Sequence, residues 1–193
     1  MPYQSLLMIR PHLQQLPRYP LPTGYHLRTA RDGDAMEWAR LWWLVGEFAT
    51  QELALTRFSE EIAVQPVEMA RRCLMLEDDE GHVIGTGTAW FDPDFEGADA
   101  GRVHWIAIDP AWQGRGLGKP LVVAVLTLLA RWHTRAFLWT HTNCARAVGI
   151  YLDFGFLPHC TAPEHPGHWR QMAAQLPHPA LDAFRSGGEH GTS

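Results

Sequence analysis

The segment between Ile106 and Lys119 constrains the fold of this chain most. An apolar strand pattern ends at Asp109-Pro110, and three glycines at alternate positions follow within a few residues. The glycines are Gly114, Gly116 and Gly118. A long apolar helix pattern then extends over residues 117–133. This order of strand, glycine-rich turn and helix is typical of α/β folds.

Strand and helix patterns alternate along the rest of the chain. We expect strands over residues 25–29, 73–77, 83–91, 102–108, 136–140 and 156–160. We expect helices over residues 32–45, 59–72, 117–133 and 145–154, with a break at Pro66. Hairpins that precede alternating strands and helices predict an α/β (α+β) domain with a mixed sheet.

The two ends of the chain differ from this pattern. Residues 1–22 contain five prolines and show no sustained period, so we interpret them as an extended arm. Residues 177–193 contain Ser186-Gly187-Gly188 and are predicted to form a flexible tail. The folded domain is therefore expected over residues 23–176.

Composition excludes several classes of protein. A chain of 193 residues with 46% hydrophobic residues suits one globular domain and is not disordered. Its formal net charge of −5 lacks the basic excess of a nucleic-acid-binding protein. No apolar run reaches the roughly 18 residues of a membrane span, and no secretory signal is visible. The three cysteines, odd in number and scattered, indicate reduced thiols in a cytoplasmic protein.

The glycine turn suits a phosphate ligand. Glycine allows close approach of the backbone, and the first N–H groups of a helix lack internal partners. Arg115 and Lys119 would add positive charge at the rim. A magnesium-binding phosphate loop would need Ser or Thr where Pro120 follows Lys119, and the glycine spacing differs from a dinucleotide fingerprint. A turn that merely caps the helix remains an alternative.

Two motifs together resemble the GNAT acetyltransferase superfamily. The first is the run from Gln113 to Gly118, preceded by Ile106, Ile108 and Pro110, and the second is the run from Ala147 to Phe156. The resemblance implies six or seven mixed strands flanked by about four helices, with acetyl-CoA as the acyl donor. Its pantetheine arm would lie between the strands at 103–108 and 136–140. Its pyrophosphate would rest on the backbone of residues 113–118.

The same resemblance implies a set of residues that contact the cofactor. These are Ile106, Ala107, Ile108, Gln113, Gly114, Arg115, Gly116, Leu117, Gly118, Lys119 and Asn143. Asn143 stands eight residues before Tyr151, whereas the family spacing is seven and falls on Cys144. Thr140 and Thr142 are alternatives for that polar contact.

Tyr151 and His104 are the candidate catalytic residues. Tyr151 occupies the motif position whose hydroxyl donates a proton to the departing sulfur, and a core tyrosine is the structural alternative. Arg102 stands where many relatives carry a glutamate. Strand alternation would place His104 on the same face as Ile106, where it could act as a base through water, or it is simply a packed histidine. Glu47 and Glu52 are weaker candidates for the acceptor side.

A second cluster of potential metal ligands is interpreted as an ordinary histidine-rich loop, and no metal is expected. Its residues are His159, Cys160, His165 and His168.

The predicted function is transfer of an acetyl group to a primary amine, directly within a ternary complex. The acceptor would be a small molecule or a peptide, and a homodimer is compatible with the sequence. The alternative is a non-catalytic acyl-CoA-binding or sensing domain.

Overall fold

A computed structural model describes residues 3–185 of the chain. Seven strands and seven α-helices follow one another in that range. The strands are β1 (Ser5–Arg10), β2 (Tyr25–Thr29), β3 (Cys73–Asp78), β4 (Val83–Phe95), β5 (Ala98–Ile108), β6 (Ala136–His141) and β7 (Leu157–His159). The helices are α1 (Asp34–Leu44), α2 (Gln51–Phe58), α3 (Pro66–Arg72), α4 (Gly118–Leu129), α5 (Ala145–Asp153), α6 (His165–Gln175) and α7 (Asp182–Arg185).

All seven strands form one mixed sheet in the order β2-β3-β4-β5-β6-β1-β7. Only β5 and β6 pair in parallel, and every other neighbouring pair is antiparallel. Neighbouring residues of β3 point to opposite faces, since Leu74 packs with the cluster of α4, α5 and α6 and Met75 packs with that of α1 and α2. The predicted fold class, an α/β domain with six or seven mixed strands, is confirmed.

Helix α4 is largely buried, as its apolar sequence predicts. Leu121, Val125, Leu126 and Leu129 are fully buried. The helix ends at Leu129 rather than near residue 133, and His133 is instead buried with its Nδ1 2.6 Å from Asp99 Oδ2. None of the helices within residues 3–185 is both long enough and apolar enough to cross a membrane.

The prediction of an extended arm at the N-terminus is wrong for residues 5–10. These residues form β1, which is hydrogen-bonded between β6 and β7 in the sheet interior. Leu6, Leu7 and Met8 are at most 2% exposed. A short continuous apolar run of this kind is the pattern of a strand buried on both faces. The connection from β1 to β2 is irregular and carries four of the five prolines of residues 1–22.

The C-terminal prediction is wrong for residues 177–185, which pack against the domain. Leu181 is fully buried, and the Arg185 guanidinium donates to the carbonyl oxygens of Ala173 and Leu176. These contacts close the end of α6, whose last carbonyls have no partner within the helix. The predicted tail at 186–193 lies outside the described residues.

Candidate active site

A groove opens where two neighbouring strands separate. Among the described residues, only Gly101 and Arg102 of β5 pair with β6. Beyond this contact β5 continues to Ile108 and β6 to His141. The groove lies at this end of β5 and is lined by Ile106 to Ile108, the glycine-rich turn, the start of α4 and residues of α5. Its volume of about 960 Å³ is within the range of small-molecule sites.

Most of the predicted site residues line this groove. They are Ile106, Ala107, Ile108, Gln113, Gly114, Gly116, Leu117, Gly118, Lys119, Asn143 and Tyr151. Two predicted residues lie outside the lining. The Arg115 guanidinium stacks over the Trp112 ring at 4.4 Å, and His104 lies on the other side of β5, as described below.

A β-bulge redirects β5 beside the groove. Two residues of β5, Trp105 and Ile106, oppose the single residue Gly87 of β4. Trp105 has a φ of 50°, a conformation that is uncommon for a bulky residue. Bulges of this kind increase the local twist and change the direction of side chains, often next to active sites. Neither bulged residue has a register partner in β4, so the regular β4–β5 pairing is interrupted where β5 lines the groove.

The bulge also separates His104 from Ile106, so the prediction that both share one face is wrong. Ile106 packs with the core beneath α4, and its Cδ1 stands 2.8 Å from the position of a Cβ added at Gly87. His104 faces the layer of α1 to α3, where its Nε2 lies 2.6 Å from Glu61 Oε1. The alternation of side chains along a strand does not continue through an inserted residue.

Glu61, His104 and Arg102 form a partly buried charged cluster. Glu61 belongs to a π-helical turn, Ser59–Ala63, and its Oε1 is 3.6 Å from Arg102 Nη1. Burial lowers the pKa of His104 to about 4 against the opposing hydrogen bond with Glu61. Burial opposes ionisation of Glu61, but the hydrogen bond with His104 and the nearby Arg102 charge outweigh it and lower its pKa. At neutral pH the cluster therefore holds a neutral imidazole, a carboxylate and a guanidinium.

The glycine-rich turn presents open backbone to the groove. Gly114 and Gly116 have φ values of 83° and 78°, and no heavy atom of the described chain lies within 4 Å of a Cβ added at either residue. Helix α4 begins at Gly118 with no side-chain cap at Leu117. Because its first N–H groups lack internal partners and lie at the positive end of the helix dipole, the turn suits an anion.

Lys119 stands at the start of α4 beside an acidic partner. Its Nζ lies 3.0 Å from Asp153 Oδ2 on α5, and the hydrogen bond with Asp153 raises the pKa of Lys119. His178 Nε2 lies 3.6 Å from the other oxygen of Asp153. The positive charge of Lys119, one of the two predicted at this rim, is therefore compensated by Asp153.

Tyr151 lies on α5 with its side chain buried against Phe156 at a ring distance of 5.9 Å. Its exposed fraction is 7%, yet it lines the groove. No hydrogen bond from residues 3–185 contributes to the pKa of its hydroxyl. Burial raises the pKa of Tyr151 above its ordinary value, so the phenol is protonated at neutral pH. The hydroxyl is therefore available to donate a proton to a ligand in the groove.

Cys144 and Asn143 precede α5 at the same end of the groove. The Cys144 thiol donates to Asn143 Oδ1 at 3.4 Å. Burial raises the pKa of Cys144, and the charge of Glu47 in the α1–α2 connection contributes to this increase. The Glu47 charge thus acts on Cys144 at this end of the groove, but neither Glu47 nor Glu52, which is exposed on α2, lines the groove.

Three residues of this region were missed by sequence reasoning. Glu61 reaches His104 across 43 positions of sequence, and no local pattern marks it. Arg146 lines the groove at the start of α5, and its position three residues after Asn143 could have indicated a role. Tyr19 lines the groove from the β1–β2 connection, which was interpreted as part of an arm.

The histidine-rich segment near β7 has other roles. His159 Nε2 lies 2.6 Å from Glu96 Oε1, His165 accepts from the backbone of Thr161, and His168 Nδ1 lies 3.1 Å from the Ser5 carbonyl oxygen. Within residues 3–185, no group of three or more His, Cys, Asp and Glu side chains is arranged to hold a metal ion. The three cysteines, all within this range, are unpaired.

Comparison with known proteins agrees with this fold. The sequence matches the Acetyltransferase (GNAT) family over residues 30–156. The chain belongs to this family. The match includes the bulged strand, the glycine turn and Tyr151.

Curated relatives of the chain are named mycothiol acetyltransferase. One from Beutenbergia cavernae is 33% identical over 143 residues, which cover 72% of this chain and 47% of the relative. One from Mycobacterium marinum is 27% identical over 176 residues, covering 82% of this chain and 55% of the relative. The chain thus spans about half the length of these relatives.

Solved structures show the same fold at low sequence identity. A GCN5-related N-acetyltransferase from Sphaerobacter thermophilus has a TM-score of 0.62 and 20% identity, covering 81% of this chain and 50% of that one. A GNAT-family acetyltransferase from Colwellia psychrerythraea has a TM-score of 0.61 and 11% identity, covering 82% and 54%. These similarities concern the fold.

Proposed function

We propose that the chain is an acetyl-CoA-dependent N-acetyltransferase that acts on a primary amine by direct transfer within a ternary complex. The observation that carries this proposal is the groove itself. One part of the groove has an uncapped helix N-terminus with open glycine backbone, and Tyr151 lines another part. One end suits a pyrophosphate and the other suits a departing thiolate.

The residues of the groove fit acetyl-CoA as cosubstrate. Backbone N–H groups of residues 113–118 would hold the pyrophosphate, and Arg146, which has no ion-pair partner within residues 3–185, is free to contact a phosphate oxygen. The pantetheine arm would lie between β5 and β6, beside the backbone of Ile106 to Ile108. A backbone N–H of the bulged segment at Ile106 would donate to the thioester carbonyl oxygen, where negative charge develops.

Tyr151 is the proposed general acid. The acceptor nitrogen forms a bond to the thioester carbon, and the carbon–sulfur bond breaks to release a thiolate. Tyr151 donates its hydroxyl proton to that sulfur and later regains a proton from solvent. Since burial keeps the phenol protonated at neutral pH, the donor is in the required state before transfer begins.

The acceptor must lose a proton to become nucleophilic. We assign this proton to the Glu61–His104 pair, through water, on the face of β5 opposite the α4 core. Neutral His104 has an accepting lone pair, and its pKa of about 4 already includes the hydrogen bond with Glu61, which opposes the effect of burial. The pair is therefore a weak base in the resting protein, and the Glu61 carboxylate, 2.6 Å away, would stabilise the imidazolium while the proton is passed on. Glu47 at the Tyr151 end of the groove is the competing residue.

The acceptor is proposed to be a small molecule or a peptide with a primary amine. The curated relatives are named mycothiol acetyltransferase. Low-molecular-weight thiols that carry a primary amine therefore belong in the first panel, beside amino acids, polyamines, aminoglycosides and short peptides. Carboxylates at Glu47 and Glu61 favour a cationic amine in the encounter complex.

The experiment measures thiol release from acetyl-CoA across this panel, with a blank that lacks acceptor because the cysteines also react with thiol reagents. We expect acceptor-dependent release that falls by about 10²- to 10⁴-fold in Tyr151→Phe. Tyr3→Phe, an exposed tyrosine outside the groove lining, is the matched control and should keep full activity. Binding of acetyl-CoA with no release for any acceptor would instead favour the non-catalytic binding domain.

A further inference from the structure

The β1–β2 connection carries a tyrosine, Tyr19, into the lining of the groove beside the start of α4. We propose, on the basis of the function proposed above, that Tyr19 forms the nucleotide end of the acyl-donor site and packs its ring against the adenine base. The residue belongs to a segment whose sequence carries no acetyltransferase motif. It lies outside the span of the family match, residues 30–156.

Direct contacts place Tyr19 at this end of the groove. Tyr19 and Pro20 line the groove together with Lys119 and Asp153. The Tyr19 ring lies 5.4 Å from the Phe154 ring and 5.1 Å from Lys119 Nζ. These contacts fix the ring beside the start of α4, yet 38% of the residue is still exposed. An aromatic ring held on one side and open on another is a platform on which a flat ligand can stack.

The contact with Lys119 places Tyr19 next to the glycine turn. Lys119 directly follows Gly118, the last glycine of that turn, and the Tyr19 ring lies 5.1 Å from its Nζ. In coenzyme A the nucleoside is bonded directly to the pyrophosphate. A donor whose pyrophosphate rests on the glycine turn therefore has its nucleoside within reach of Tyr19.

The local charge favours a base over a phosphate at this position. Lys119 is paired with Asp153 at 3.0 Å, and His178 is the second cationic group near that carboxylate. The Asp153 carboxylate compensates the lysine charge and repels a second phosphate placed next to it. A neutral, flat, polarisable ring meets no such repulsion and gains contact with Tyr19 and the apolar Pro20.

The test compares the affinities of three ligands by titration calorimetry. Coenzyme A carries the complete nucleotide, and dephospho-coenzyme A lacks only the 3′-phosphate. Phosphopantetheine lacks the adenine nucleotide and keeps one phosphate of the pyrophosphate. We expect Tyr19→Ala to weaken binding of the first two by about tenfold, as for loss of a base–aromatic stack, and to leave phosphopantetheine binding unchanged. Tyr19→Phe should bind all three as the wild type does.

Tyr3→Ala provides the matched control, since Tyr3 is 58% exposed and contacts His141 instead of the groove. Unchanged affinity of Tyr19→Ala for dephospho-coenzyme A would overturn the proposal, and so would an equal loss for phosphopantetheine. Failure of the wild-type protein to bind coenzyme A at all is a different result, which contradicts the proposed function itself. Thermal unfolding of each variant checks that the fold is retained.

Discussion

The Nε2 atom of His104 lies 2.6 Å from the Oε1 atom of Glu61, although the two residues are 43 positions apart in the sequence. The pair joins the bulged strand β5 to the π-helical turn before α3. The pair places the Glu61 carboxylate beside Arg102. Arg102 stands at the strand position where the family resemblance implies a glutamate. The negative charge expected on this side of β5 is therefore present, but it comes from another element.

This pair should make the stability of the protein depend on pH. The folded state holds the pKa of His104 at about 4, below its ordinary value of 6.5, so the unfolded chain binds the proton more readily. The stabilisation is complete above pH 6.5 and is lost as the pH falls from about 6.5 toward 4. We expect the wild type to lose about 2 kcal/mol of unfolding free energy from this group between pH 7 and pH 5.

Denaturant unfolding at several pH values measures this effect. His104→Gln, whose amide can still donate to Glu61, should show a smaller loss over the same range. His12→Gln removes an exposed histidine and should follow the wild type. Parallel curves for wild type and His104→Gln would show that His104 does not titrate as its burial requires.

Glu61 should also affect catalysis. If the Glu61–His104 pair receives the amine proton, Glu61→Gln should reduce kcat/KM by about 10²-fold at neutral pH. Glu60→Gln alters the exposed neighbour in the same helical turn and should keep the wild-type rate. Steady-state rates with a fixed acceptor give the answer, and a loss confined to Glu47→Gln would transfer the role of base to that residue.

The N-terminal strand should be indispensable to the fold. Met8 is fully buried in β1 and faces Leu138 of β6 and Pro158 of β7 in the pairing register. Met8→Ala should lower the free energy of unfolding by about 2–5 kcal/mol, because the cavity forms in the sheet interior. Leu157→Ala on β7, where the side chain is 46% exposed, should cost less than about 1 kcal/mol. Equal effects in chemical denaturation would contradict the interior position of β1.

Features encoded within a few neighbouring residues could be predicted from the sequence. The glycine turn depends on local backbone conformation and on the helix that follows it, and both are visible between Ile106 and Pro120. The same holds for α5 and Tyr151. The residues expected to contact the cofactor accordingly lie along one groove, apart from Arg115.

Features that depend on distant parts of the chain could not be predicted. The apolar run from Leu6 to Ile9 is too short to distinguish a buried strand from other apolar segments, and only its pairing with β6 and β7 makes it a strand. The bulge at Trp105 depends on β4, where Gly87 leaves room for Ile106. Because neither relation is local, the position of His104 and the use of Glu61 were hidden as well.

The central claim, that the groove binds an acyl-CoA donor on its glycine turn, is tested by the affinity for acetyl-CoA of two matched valine variants. Gly116 and Gly97 have φ values of 78° and 77°, and among the described residues nothing lies within 4 Å of a Cβ added at either one. Gly116→Val and Gly97→Val therefore impose similar backbone strain, but only the first lies in the groove.

Titration calorimetry with acetyl-CoA should give wild-type affinity for Gly97→Val and at least tenfold weaker binding, about 1.4 kcal/mol or more, for Gly116→Val. Wild-type affinity in Gly116→Val, or an equal loss in both variants, would contradict the assignment of the groove.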